Sequence, residues 1–175
     1  FYLIEDCKKF GTLPFAGLAR CGFIAIDIID SLEREKIITS VEKNRFLSSI
    51  KNVSTIMQEE EIKLSRSKFL EKYGHLRPDT YEISAKNYQE GFELYFDKKN
   101  KKKISRKNKK FKFKTSQKKV ISKFLSKLNI SITFDQFLKF LTDSIFYREY
   151  SKFIFTKSID YVFNNLIIFG KKQSI

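Results

Sequence analysis

Residues 12–29 read TLPFAGLARCGFIAIDII, and their spacing decides the fold class. Phe15, Leu18, Ala19, Gly22, Phe23 and Ile26 recur at i, i+3, i+4, i+7, i+8 and i+11, the interval that returns side chains to one face of an α-helix. Thr12 stands where a capping hydroxyl belongs, and Pro14 falls in the first turn, where its missing N–H costs nothing. Ile24, Ala25 and Ile28 carry apolar surface most of the way round, so a central helix is expected, ending among Asp30–Lys36. Ala16, Gly17, Ala19 and Gly22 leave little side chain and let another backbone come close. Before it, Phe1–Phe10 reads as a short helix stopped by Gly11.

The same period recurs downstream. Thr39 to Glu42 fits a capping box, opening a helix with Val41, Phe46, Leu47, Ile50, Val53 and Met57 inward and running to about Ile62. Glu59, Glu60 and Glu61 read as its solvated end. Ser67 is placed to cap a short helix, Lys68–Tyr73, which Gly74 stops in the left-handed position. Asn87–Phe96 is a further short helix. Gln117–Leu128 follows with Val120, Ile121, Phe124, Leu125 and Leu128 inward. Thr133 caps a long helix carrying Phe134, Phe137, Leu138, Leu141 and Ile145, then the Arg148/Glu149 level and Phe153. A last helix carries Ile159, Val162, Phe163, Leu166 and Ile167 and closes at Gly170. The expected fold is all-α, an irregular bundle of about six to eight helices. Six Gly and two Pro in 175 residues punctuate too little for a turn-rich β protein.

Charge divides the chain. Residues 1–97 hold 14 basic and 16 acidic side chains, whereas 98–119 hold 13 basic and none acidic, out of a formal net charge of +15. Like charges at that density favour a solvated, disordered loop. The expected organisation is one domain cut from a larger chain: a front block (1–97), the Lys-rich insertion (98–119), and a back block (120–175) packing on the front one. The chain opens on Phe1 rather than Met, which fits such a piece. A basic run also releases counterions from phosphates, so Lys101, Lys102, Lys103, Arg106, Lys109 and Lys110 are candidate polyanion contacts, with Phe111 and Phe113 free to stack on bases. Against this, Lys outnumbers Arg 28 to 7, and Lys, Ile, Phe, Tyr and Asn, all A/T-rich in their codons, dominate the composition.

Most catalytic templates are missing. There is no Gly-rich phosphate loop, no dinucleotide fingerprint and no nucleophile elbow. Two cysteines, Cys7 and Cys21, and one histidine cannot build a four-ligand zinc site or a disulfide framework. No run of about 18 uninterrupted apolar residues exists, so no transmembrane helix is expected, and nothing reads as a signal peptide. The expected location is the cytoplasm. Two places break the local pattern: His75 and Arg77, held between a helix stop and Pro78, and Arg148–Glu149, set where an apolar stripe should continue. A structural role, backbone satisfaction for His75 and ion pairing for the others, competes with a binding role at both.

Three strings carry a resemblance. They are Phe69–Ile83 (FLEKYGHLRPDTYEI), Gly11–Arg20 (GTLPFAGLAR) and Arg148–Lys157 (REYSKFIFTK). Together they resemble the phosphoenolpyruvate-utilising enzymes: phosphoenolpyruvate synthase, pyruvate phosphate dikinase and rifampicin phosphotransferase. The nearest branch is the bacterial phosphoenolpyruvate synthase-like group often tied to surface polysaccharide genes. Such enzymes combine an ATP-grasp nucleotide domain, a middle region and a swivelling phosphohistidine domain; some add a phosphoenolpyruvate-binding barrel. His75 follows Tyr73-Gly74, which does not match the phosphocarrier loop. The resemblance covers the helical middle region, which in rifampicin phosphotransferase corresponds to the acceptor-binding part.

It implies an acceptor-binding or interdomain segment without catalytic residues of its own. A parent enzyme would use ATP and Mg, with flanking ATP-grasp and phosphohistidine domains and a small-molecule phosphate acceptor as partners; no membrane partner is expected. The acceptor- or phosphate-facing candidates are His75, Arg77, Arg20, Arg148 and Glu149. Arg77→Ala is expected to lower phosphotransfer in the complete enzyme with the fold intact. Asp79 departs from the Pro-Gly turn of the group, which favours a type I turn here. Two alternatives stand beside this reading: a basic helical module binding nucleic acid or another polyanion through 98–119, and an interdomain spacer with no site.

Overall fold

The computed structural model describes residues 2–96 and 111–173. These residues form seven helices and no strand: α1 (Tyr2–Arg34), α2 (Ser40–Ser49), α3 (Val53–Lys63), α4 (Arg66–Tyr73), α5 (Phe92–Tyr95), α6 (Thr115–Lys127) and α7 (Phe134–Lys172). The all-α expectation is met. The described residues fall into two compact units, the first made of 2–14, 53–96 and 150–173 and the second of 15–52 and 111–149. Each unit therefore draws on both sides of the basic segment, and neither matches the front or back block.

Gly11 does not interrupt α1. The helix passes through a π-helical turn at Cys7–Thr12, where the Leu13 N–H donates to the Lys8 carbonyl five residues back. Pro14 has no N–H for the carbonyl of Phe10, and its ring crowds that oxygen; widening the turn by one residue absorbs both. Thr12 is consequently inside the helix and caps nothing. By length and composition α1 suits a membrane span. Its most apolar 18-residue window has a mean hydropathy of 1.6, and only 17% of that window is buried. Arg20 interrupts the apolar run but leaves its mean high, which is why a search for uninterrupted runs passes over it.

In the second unit, α1 buries Gly22, Ala25, Ile29 and Leu32. Ala25, Ile29 and Leu32 meet Phe46 of α2, Ile121 and Leu125 of α6, and Phe137 and Leu141 of α7 in one core. Burying a side chain such as Ile29 or Leu141 contributes roughly 1.5–3 kcal/mol. A Cβ at Gly22 would stand 2.9 Å from Cδ of Arg148 and 3.4 Å from the Ser144 carbonyl, so glycine is what lets α1 and α7 approach there. Past Arg34 the chain turns off α1 at Lys36, whose φ of 56° is left-handed. The Ile37 N–H returns to Leu32 O and the Lys36 N–H to Glu33 O, closing a Schellman motif without glycine.

The Thr39 capping box forms as the sequence indicates, Thr39 Oγ1 accepting from the Glu42 N–H while Glu42 accepts from the Thr39 N–H. Lys114, 2.8 Å away, and the Thr39 N–H hold the Glu42 carboxyl down to about 2. α2 stops at Ser49, whose hydroxyl donates to the Phe46 carbonyl, and Ile50 turns extended; the helix expected to reach Ile62 is therefore two, α2 and α3.

The end of the basic segment belongs to the fold. Residues 111–114 run without helix and carry Phe113 into the core, where Phe111 and Phe113 pack edge-on to Phe46 at 5.8 and 5.6 Å. Neither ring is free to stack on a base. α6 buries Gln117, Ile121 and Leu125, not the broader face expected; Val120, Phe124 and Leu128 are exposed. Gln117 takes the place of an apolar residue because its amide donates to Ile37 O and Glu42 Oε2.

In the first unit, Phe69, Tyr73 and Phe153 form the buried centre, with Phe92 and Phe96 packed against it. Ser65, not Ser67, caps α4, accepting from the Lys68 N–H. Gly74 is right-handed (φ −57°) rather than left-handed, and what a Cβ there would meet is the Leu70 carbonyl. Glu60 is not a solvated end: Lys72 and the Tyr73 hydroxyl hydrogen-bond it at 2.7 and 2.8 Å and hold its carboxyl below the usual range. The helix expected over Asn87–Phe96 shrinks to α5. With no Gly or Pro between Thr133 and Gly170, α7 runs on as a single 39-residue helix where two were expected.

Candidate functional site

All three resembling strings contribute to the first unit, and two contacts bring them onto α7. Gly11, at the π-helical turn, faces Phe155: a Cβ there would lie 2.8 Å from that residue's Cβ. His75 donates from Nε2 to the Phe153 carbonyl at 3.0 Å, and its ring lies 5.1 Å from the Phe153 ring. That bond fixes the tautomer and leaves Nδ1 as the lone-pair nitrogen. Burial pushes the imidazole below its ordinary pKa; the Phe153 carbonyl opposes this, and Lys157 adds to it. His75 is therefore neutral at physiological pH.

Arg77 turns inward. Its side chain is 2% exposed, and all five of its N–H groups are used. Nε and Nη2 donate to Asp160 Oδ1 at 3.1 and 2.8 Å; Nη2 also reaches Asn164 Oδ1 at 2.9 Å, and Nη1 donates to the carbonyls of Ile83 and Ala85. Asn87 donates to the same carboxylate at 3.0 Å, and Asn164 at 3.1 Å. The cluster is closed, with no donor left for a phosphate. Arg77→Ala therefore acts first on the fold, against the expectation of an intact structure. The crevice between His75, Arg77, Thr80, Thr156 and Asp160 has about 10 Å³ of room, no more than one water.

Space for a ligand lies elsewhere in this unit. A groove of about 410 Å³ runs between 3–14 and 150–158, lined by Leu3, Asp6, Cys7, Phe10, Gly11 and Pro14 on one side and Tyr150, Ser151, Ile154, Phe155 and Ser158 on the other. The volume is within the range of small-molecule sites. Its walls are mostly apolar, with a carboxylate, a thiol and hydroxyls as the polar points.

In the second unit, Arg148 lays its stem over Gly22 and its guanidinium 5.0 Å from the Phe23 ring, and pairs with Glu149 at 3.4 Å. The two side chains are 37% and 42% exposed, so this is a half-open pair. Arg20 is exposed. No family model, curated protein or solved structure matches the chain. The polyanion candidates Lys101, Lys102, Lys103, Arg106, Lys109 and Lys110 lie outside the described residues.

Sequence reading passed over Asn87, Asp160 and Asn164, which hold Arg77. A signal was present: Asp160 and Asn164 stand four apart, one helical turn, beside the apolar positions Ile159, Val162, Phe163 and Leu166 of α7. The groove left a fainter trace, the Pro14-forced turn beside Gly11.

Proposed function

We propose that this chain is the central helical segment of a phosphoenolpyruvate synthase-like phosphotransferase, where it binds or positions the phosphate acceptor. The observation that carries the reading is the convergence of the three resembling strings: Gly11 against Phe155, and His75 against Phe153, far apart in sequence and adjacent in the first unit. In this reading the groove between 3–14 and 150–158 takes the acceptor, a small molecule with apolar bulk and a hydroxyl. Asp6, Ser151 and Ser158 supply its hydrogen bonds. Arg77 is a positioning residue that ties the loop after α4 to α7. His75, bonded to the Phe153 carbonyl beside a crevice no larger than one water, is likewise a positioning residue. Arg20, Arg148 and Glu149 belong to the second unit and stand as phosphate-facing candidates separate from the groove; the two arginines offer the planar fork that suits phosphate. ATP and Mg belong to the flanking nucleotide domain and the carried phosphate to the phosphohistidine domain.

The test is ATP-dependent phosphotransfer by the complete enzyme. Ser151→Trp, which fills the groove, is expected to raise the acceptor KM at least about tenfold while leaving phosphorylation of the phosphohistidine unchanged. Arg20→Gln, at an exposed position, is expected to lower kcat with the melting midpoint kept. If both variants turn over like the wild type, the chain is a spacer and the reading fails.

A further inference from the structure

The exposed side of α6 carries two parallel rows. Lys119, Lys123 and Lys127 stand at i, i+4 and i+8, exposed and without an ion pair among the described residues. One position on, Val120, Phe124 and Leu128 repeat the same interval and are 41%, 44% and 66% exposed. The turn after α6 prolongs the apolar row with exposed Ile130 and Ile132. The buried stripe of Gln117, Ile121 and Leu125 already anchors the helix in its own core, so the second apolar row is not spent on folding. No acidic residue occurs from 98 to 134, a stretch with 15 Lys and Arg side chains.

We propose that this face of α6 docks on an anionic phospholipid bilayer, its apolar row entering the acyl boundary and its lysine row reaching the headgroup phosphates. A lysine row beside Phe and aliphatic residues is the composition of helices that lie in the membrane interface. Charge complementarity selects the anionic surface, because each lysine near it is attracted independently and no carboxylate opposes it. Nucleic acid is the poorer fit. Of this row only Phe124 has a π face for a base, the face has no Arg fork, and the core holds Phe111 and Phe113. Surface docking needs no spanning segment, and it revises the expectation that no membrane is a partner. It stands apart from the phosphotransferase reading and can fail alone.

The test is co-sedimentation of the full chain with vesicles of phosphatidylcholine containing about one-third phosphatidylserine at about 0.1 M salt, against pure phosphatidylcholine. Binding to the anionic vesicles only is expected, with loss of binding at about 1 M salt, where the Debye length falls to about 3 Å. The triple variant K119Q/K123Q/K127Q is expected to bind about 100-fold more weakly, roughly fivefold per lysine. Phe124→Ser is expected to weaken binding while keeping its salt dependence. All four positions are exposed, so both variants should keep the helical circular dichroism of the wild type. A matched variant, K101Q/K102Q/K103Q, controls for diffuse attraction by the basic segment. The proposal is overturned if the α6 variants bind as the wild type does, if K101Q/K102Q/K103Q loses as much, or if the wild type ignores the vesicles yet binds single-stranded DNA through the same lysines.

Discussion

Arg77→Met removes a charge whose every donor is engaged. The substitution keeps most of the stem volume but leaves the Asp160 carboxylate with only the amides of Asn87 and Asn164, and it strips partners from the carbonyls of Ile83 and Ala85. Asp160 is 11% exposed, so water cannot replace what is lost. Breaking a buried pair from one side costs about 3–5 kcal/mol. With a urea slope of about 2 kcal/mol/M, the unfolding midpoint should fall by about 1.5–2.5 M. Seven of the eight tyrosines lie in the unit that holds Arg77, and the chain has no tryptophan, so tyrosine fluorescence reports on the right place. The control is Lys139→Met, which removes a pair to Asp143 whose side chains are 75% and 40% exposed and should cost no more than about 1 kcal/mol. A midpoint shift for Arg77→Met no larger than the control's would refute the closed cluster. Asp160→Asn should fall between the two, because the amide oxygen still accepts from the guanidinium while the charge is gone.

Three further outcomes follow from the geometry. Gly11→Ala should destabilise by about 1–3 kcal/mol, since its Cβ would press on Phe155, whereas Gly17→Ala, with open space around it, should stabilise by about 0.5–1 kcal/mol in thermal unfolding. Lys36→Gly should stabilise by about 1 kcal/mol, because it relieves a left-handed lysine in the same Schellman turn; a loss in the urea midpoint would count against that account. His75 is the only histidine, so its ring-proton NMR signal is unambiguous and should titrate below 6.5. Between the lowered folded value and the ordinary unfolded one, the unfolded chain binds more protons. His75 therefore contributes stability that is present above pH 6.5 and is lost as pH falls through that window. His75→Gln, which keeps a donor for the Phe153 carbonyl, should flatten this part of the pH profile.

Periodicity made the helices legible and left their ends and partners less so. The stripe of 15–26 identified α1, and the Thr39 and Thr133 caps placed two helix starts, because both signals are local. The turn at Cys7–Thr12 escaped because Gly11 and Pro14 look like a break and instead produce a widened turn. Ser49 ended α2 through a hydroxyl bond that residue spacing does not reveal. The face of α6 was misjudged because Gln117 is buried by its bonds to Ile37 and Glu42, partners 75 to 80 residues away. The same holds at Arg77. Its place between Gly74 and Pro78 marked it as unusual, but only the position of Asp160 on α7 decides whether the guanidinium faces in or out.

The central claim is that this chain works as one segment of a larger phosphotransferase. The most direct measurement is the intact mass of the native protein together with the coding sequence on both sides of the segment. The account predicts a mass well above 20.8 kDa and a reading frame continuing into an ATP-grasp pattern upstream and a phosphohistidine loop downstream. A start codon just before Phe1, a stop after Ile175 and a native mass near 20.8 kDa would contradict it.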